Sequence, residues 1–160
     1  MAARKPLVMN AGQVEQLQSG DTLDATVAEV DVLDRTNGNA GAIVIGQPVY
    51  PDAAGSVDLA QADAAGTVEV LGLVRATSIA SAASGSIQTN GVLTATTTQW
   101  DVVTGETGGL TAGAPYFLDP DTAGMLTQTA PGTAGDFVVR VGLALSTTEM
   151  MIDAAPPIKL

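Results

Sequence analysis

Two stretches of the chain repeat one another, and this duplication limits the possible folds more than any other feature. GQPVYPDAAGSVDL runs from Gly46 to Leu59, and GAPYFLDPDTAGML runs from Gly113 to Leu126, reading like the first with two residues added between its opening Gly and its Ala-Gly. Each has Gly-x-Pro, an aromatic within the next two residues, an Asp, and Ala-Gly ahead of an apolar position. VEVLGLV (Val68–Val74) follows the first and VVRVGLA (Val138–Ala144) the second. A unit of roughly 30–40 residues is too small to hold a core alone, so two copies must pack together or complete one barrel. Gly46 and Gly113 are expected at positive φ ahead of a strand. Pro48 and Pro115 suit an edge or the first residue of a strand, and Gly72 and Gly142 suit a bend or a close backbone approach.

Strand signals fill the rest of the chain. Short Val- and Thr-rich runs are separated by turn chemistry such as TNGNAG, DAAG, TGETGG and APGTAG. They include Ala42–Ile45, Thr67–Val74, Val92–Ala95, Asp101–Thr104, Phe137–Leu145 and Met150–Asp153. Thr22–Asp34 alternates on two parities, which predicts a bulge or bend near Ala28. Helical spacing is nearly absent, and the Ala-rich piece Ala76–Gly85 is expected to be a loop. These signals predict an all-β fold, a short-stranded barrel or sandwich of two related β-modules with extended N- and C-terminal arms. Residues 1–21 form the N-terminal arm, 22–99 the first module, 100–155 the second and 156–160 the C-terminal extension.

The chain of 160 residues carries 6 Lys plus Arg against 17 Asp plus Glu, a formal net charge of −11. Phosphate backbones and anionic membrane surfaces are repelled by that balance, so no nucleic-acid or membrane partner is expected. No apolar run has the length of a signal peptide or a membrane span, which points to synthesis in a cytoplasm. There is no Cys and no His. Disulfides, thiolate nucleophiles, common zinc sites and the commonest general base are therefore missing.

The remaining candidates for chemistry are few. Asp119, Asp121 and Asp136 are the best carboxylate cluster for a hard cation, but Asp-Pro and Asp-Thr are ordinary turn formers, and Asp52 matches Asp119 in the first copy. Asp101, Glu106 and Asp119 contain a possible glycosidase pair, without the aromatics that line a sugar cleft. A serine nucleophile would need a Lys or N-terminal-amine partner, and Lys5 and Lys159 both lie in terminal segments. No enzyme, metal or cofactor is expected. Trp100 is either a core anchor or a buried subunit contact.

Two segments resemble tailed-bacteriophage virion structural proteins. RKPLVMNAGQVEQLQSGDTL (Arg4–Leu23) is similar to an opening found in such proteins: a basic start, Pro-Leu-Val, Gln-Leu and Gly-Asp-Thr-Leu. Trp100–Leu160 is similar to a β-module of the same virions. Its marks are Gly109-Leu110, Gly113, Tyr116-Phe117-Leu118, Gly124, Leu126, Thr127, the Val139–Leu145 strand with Gly142, and Pro156-Pro157-Ile158. The chain is most like a small head decoration (cement) protein. That resemblance implies a homotrimer on the outer surface of the capsid, clamping adjacent copies of the major capsid protein. Arg4, Lys5, Pro6, Leu7, Val8, Pro156, Pro157 and Ile158 are the expected partner-binding residues of the arms. A tail, baseplate or fibre-base component is the alternative, and a carbohydrate-binding adhesin a more distant one.

Overall fold

The computed structural model describes residues 31–160 and the backbone of Leu7–Asn10 (β1) and Gln13–Gln16 (β2). β1 and β2 pair antiparallel. The first half begins with β3 (Val32–Thr36), β4 (Ile43–Val44), β5 (Pro48–Pro51), β6 (Val57–Leu59), β7 (Gly72–Val74) and β8 (Ser78–Ile79). β9 (Ser84–Gln88) completes that half. β3, β5, β6, β7 and β9 form an antiparallel sheet in the order β3-β9-β7-β5-β6, and β4 pairs separately with β8.

The second half contains β10 (Gly91–Thr94), α1 (Thr97–Thr104), β11 (Pro115–Leu118), β12 (Leu126–Thr127), β13 (Phe137–Val138), β14 (Arg140–Ala144), β15 (Glu149–Ile152) and β16 (Ile158–Lys159). Its five-stranded sheet runs β10-β15-β14-β11-β12, and β13 pairs with β16. The two sheets have one topology: edge strand, last strand, fourth, second, third. The duplication in sequence is a duplication of architecture.

Its details repeat as well. Gly46 has φ +87° and Gly113 φ +80°. The Gly46 N–H donates to the Val74 carbonyl and the Val74 N–H to Gln47. In the second copy Gly113 donates to Ala144, and Ala144 to Ala114. Pro48 and Pro115 each open their strand, where no ladder donor is lost. A methyl at Gly72 would collide with the Gln88 carbonyl, and one at Gly142 with the Met151 carbonyl. Both glycines are there because the neighbouring backbone passes too close for a side chain.

The sheets do not close into a barrel; they stack in a sandwich-like arrangement around a shared core. Leu73, Ala60, Ala62 and Val68 of the first half join Tyr116, Val141 and Met150 of the second in one apolar cluster. A smaller cluster, including Val49, Val74, Ile87, Ile43 and Ile79, fills the opposite side of the first sheet under β4 and β8. The halves are also sewn by backbone. Ala60 accepts from the Gly124 N–H at 2.8 Å, Ala62 donates to Asp119 at 3.0 Å, and Ala62 accepts from Phe137 at 2.8 Å.

The structure differs from the sequence expectations at five places. Asp101–Thr104, expected as strand, is the last half of α1. Thr96 begins that helix with a capping box: its hydroxyl accepts from the Gln99 N–H while the Gln99 side chain accepts from the Thr96 N–H. Gly105 ends it at φ 69°. Thr67–Val74 narrows to β7, and Phe137–Leu145 divides into β13 and β14. Ala76–Gly85, expected as loop, contains β8 and the start of β9. The sheets change over at Thr89–Asn90 rather than at Trp100, since Gly91–Thr94 pairs with β15. Most of the Thr22–Asp34 run, with its expected bend near Ala28, lies outside the described residues; a bulge occurs instead on β14, where Val141 is the extra residue between the Tyr116–Gly142 and Phe117–Arg140 pairs.

The glycine pattern gives a paired prediction. Gly142→Ala should lower stability by about 1–3 kcal/mol through overpacking against backbone. Gly66→Ala, at an exposed position with nothing within 4 Å, should be neutral or stabilising by about 0.4–1 kcal/mol. Urea denaturation of the two variants checks both, and equal costs would reject the close-approach explanation.

Candidate interaction surface

Asp119, Asp101 and Glu106, three of the acidic side chains that could carry chemistry, are occupied with holding loops. Asp119 Oδ1 accepts from the Asp121 and Thr122 N–H groups at 2.8 Å each, closing its own turn. Asp52 does the same in the first copy, accepting from Ala54 and Ser56. A hydrogen bond from the Ser56 hydroxyl holds the Asp52 carboxyl below its ordinary range. Asp101 Oδ1 accepts from the Gly109 N–H at 2.7 Å. No group of three or more acidic residues could hold a metal ion among the described residues.

Glu106 belongs to a polar knot around Tyr116. The fully buried Tyr116 hydroxyl accepts from the Thr111 N–H at 3.0 Å and donates to Glu106 Oε2 at 3.3 Å. Gln128 Nε2 lies 2.8 Å from both Glu106 oxygens and 3.0 Å from Thr111 Oγ1. Burial pushes the Tyr116 phenol up, opposed by the Thr111 N–H and assisted by the Glu106 carboxylate. The knot ties the loop after α1 to β11 and the end of β12. Trp100, left open between core and subunit contact, is a core residue: its ring is fully buried and its Nε1 donates to the Thr148 carbonyl at 3.0 Å.

The expected arm residues divide into three groups. Arg4, Lys5 and Pro6 lie outside the described residues. Leu7 and Val8 fall on β1, in register with Gln16 and Glu15. Ile158 is on β16, opposite Val138, so the C-terminal extension pairs with its own chain. The Leu160 N–H donates to Asp136 and its carbonyl accepts from Gly135, which continues the pairing to the last residue. Lys159 Nζ stands 5.9 Å from the Phe137 ring centroid. Pro156 is exposed and Pro157 half-buried ahead of this strand. Ile158 still presents its side chain outward, at 64% exposure.

The surface that sequence reading missed is the outer face of the second sheet. Direct cross-strand pairing aligns Val92 with Met151, Met151 with Leu143, and Leu143 with Pro115, so these four share one face. Phe117 and Arg140 lie on the same face beyond the bulge. Arg140 forms an ion pair with Asp153 there. All the exposed large apolar side chains among the described residues belong to the second half, Val92, Met151 and Leu145 among them. Alternation along Phe137–Leu145 would have exposed this stripe, but Val139, Val141, Leu143 and Leu145 read as one continuous apolar set. The bulge moves the last two to the opposite side from the first two. A second apolar depression lies between α1 and β4, lined by Val44, Ile45, Thr77, Thr98, Gln99 and Val102.

No protein family matches the chain, and neither does any curated protein. Among solved structures, a chain of "The capsid of Myoviridae Phage XM1" aligns at 19% identity with a TM-score of 0.48, over 88% of this chain and 92% of that one.

The Tyr116 knot generates a pH prediction. The folded-state value lies above the ordinary 10.0. Its stabilising contribution is therefore complete below that value and is lost as pH rises through the folded-state value. Tyr116→Phe should cost about 1 kcal/mol at neutral pH and flatten the alkaline loss of stability. Denaturant midpoints measured between neutral and alkaline pH check this; an unchanged alkaline slope would count against it.

Proposed function

We propose that this chain is a non-enzymatic virion structural protein: a decoration protein that binds the outer surface of a tailed-phage head and clamps adjacent major capsid subunits. One observation carries the proposal. The residues of the virion-module resemblance are those that build the second half of the fold. Gly113 supplies the positive φ before β11, and Gly142 admits the Met151 backbone. Tyr116 anchors the polar knot, while Leu118 and Leu126 are buried in the shared core. Gly124, at φ 76°, donates its N–H to Ala60 across the joint between the halves.

The physical logic is that of a clamp. Carboxylates committed to turns and a core of Val, Leu and Ala offer rigidity and contact area rather than reagents. A symmetric oligomer, here taken as a trimer, would bridge several shell subunits and multiply modest contacts through avidity. The basic residues Arg4 and Lys5 precede a segment able to pair as an added strand, where main-chain bonds need little side-chain specificity. The chain would be made in the host cytoplasm and end on the particle. A tail or baseplate location is the second reading, favoured only by the breadth of the same resemblance.

Deletion of Ala2–Val8 is expected to weaken binding to purified capsids by about tenfold or more, roughly 1.4 kcal/mol, with the β body still folded. Occupancy measured by quantitative gel analysis of sedimented particles checks it, and unchanged occupancy rejects the arm contact. Copy number tests the location: abundance near that of the major capsid protein supports the head, and a few copies per particle supports the tail.

A further inference from the structure

The internal repeat gives the bare face of the second sheet a counterpart whose cover is visible. In the first sheet Val32, Gln88, Leu73 and Pro48 form one cross-strand row. In the second sheet Val92, Met151, Leu143 and Pro115 form the matching row. The two rows occupy the same positions on the same side of the same topology. Position by position the second row is the more exposed: Gln88 is 1% exposed and its counterpart Met151 38%, Leu73 is fully buried and Leu143 half-buried, Pro48 is buried and Pro115 exposed, and Val32 is half-buried where Val92 is 40% exposed. Leu73 is covered because it enters the core shared with the next module along the chain. No described residue does this for Met151.

We infer that the Val92–Met151–Leu143–Pro115 row is a self-association surface that receives the first module of a second copy, so that copies stack head to tail. Such a contact continues between molecules the module-on-module stacking already present within one. The part of the first module that arrives is its far layer, β4, β8 and the turn into β9, on the side of the first sheet opposite Leu73. That layer is suited to the contact. Although the chain has 6 Lys plus Arg and 17 Asp plus Glu, none falls between Ala76 and Trp100. Ala80, Ser81 and Ala82 are exposed, small and uncharged at the turn. The row and the turn are themselves uncharged and desolvate at little cost, while the Arg140–Asp153 pair on the same face is already mutually neutralised. A basic partner would be drawn to the acidic surfaces instead. Because the two contact surfaces differ, the association is heterologous and propagates to a closed ring or an open filament.

The inference supplies a surface for the self-association in the proposed function, and mixing two variants tests it apart from capsid binding. Met151→Glu blocks the row and Ala80→Glu blocks the turn. Each should weaken self-association of the full chain about a hundredfold or more, since each buries an unpaired carboxylate. Mixed one to one, they should recover a dimer, because each retains the surface that the other has lost. Sedimentation velocity reads all three samples, and circular dichroism confirms folding, with Val92→Lys as a second row variant. A wild-type chain that stays monomeric at high concentration overturns the inference. So does a mixture with no recovered dimer, or an Ala80→Glu variant that self-associates like the wild type, the result expected when two rows meet face to face. If the protein proves absent from virions while the mixture recovers its dimer, the capsid assignment fails and the head-to-tail contact stands.

Discussion

Leu73 and Val74 are neighbours on the same strand, point to opposite sides of the first sheet, and are both fully buried. A sheet that is apolar on both sides needs a cover on each, and much of the fold serves that need. Val74 is covered within its own module by Ile43 and Ile79 of the β4–β8 pair. Leu73 is covered by the other half of the chain. The Ala60–Ala62 segment fixes that second cover by hydrogen-bonding along Gly124, Asp119 and Phe137. With no disulfide and few aromatics, the halves rely on this shared core.

The duplicated architecture was legible in the sequence because it is written in backbone-constrained residues. Gly46, Gly113, Gly72 and Gly142 are positions at which a side chain is excluded by conformation or by a passing carbonyl, so glycine there reports geometry directly. Pro48 and Pro115 report strand starts for a similar reason. Asp52 and Asp119 were correctly paired as turn formers, each folding its carboxylate back onto two N–H groups.

What escaped reading was of two kinds. The helix is only eight residues long, and apart from Gln99 it is made of Thr, Trp, Asp and Val, which have no strong helical preference. Its single local signal was the Thr96-x-x-Gln99 capping box; its stability comes from Trp100 and Val103 entering the core. The open face of the second sheet escaped because the bulge at Val141 on β14 breaks the alternation on which a strand's sidedness is read. The pairing of β16 with β13 joins residues about twenty positions apart through a proline-containing connection, and no pattern within either strand encodes it.

Trp100 is the chain's one tryptophan. It sits where the halves meet: a methyl at Gly46 would touch its ring at 2.9 Å, while its indole N–H is held by Thr148. The molecule thus carries an intrinsic optical probe at its own joint. Parting of the two halves would wet the indole, and its emission would redden even while each sheet kept its ladder of hydrogen bonds.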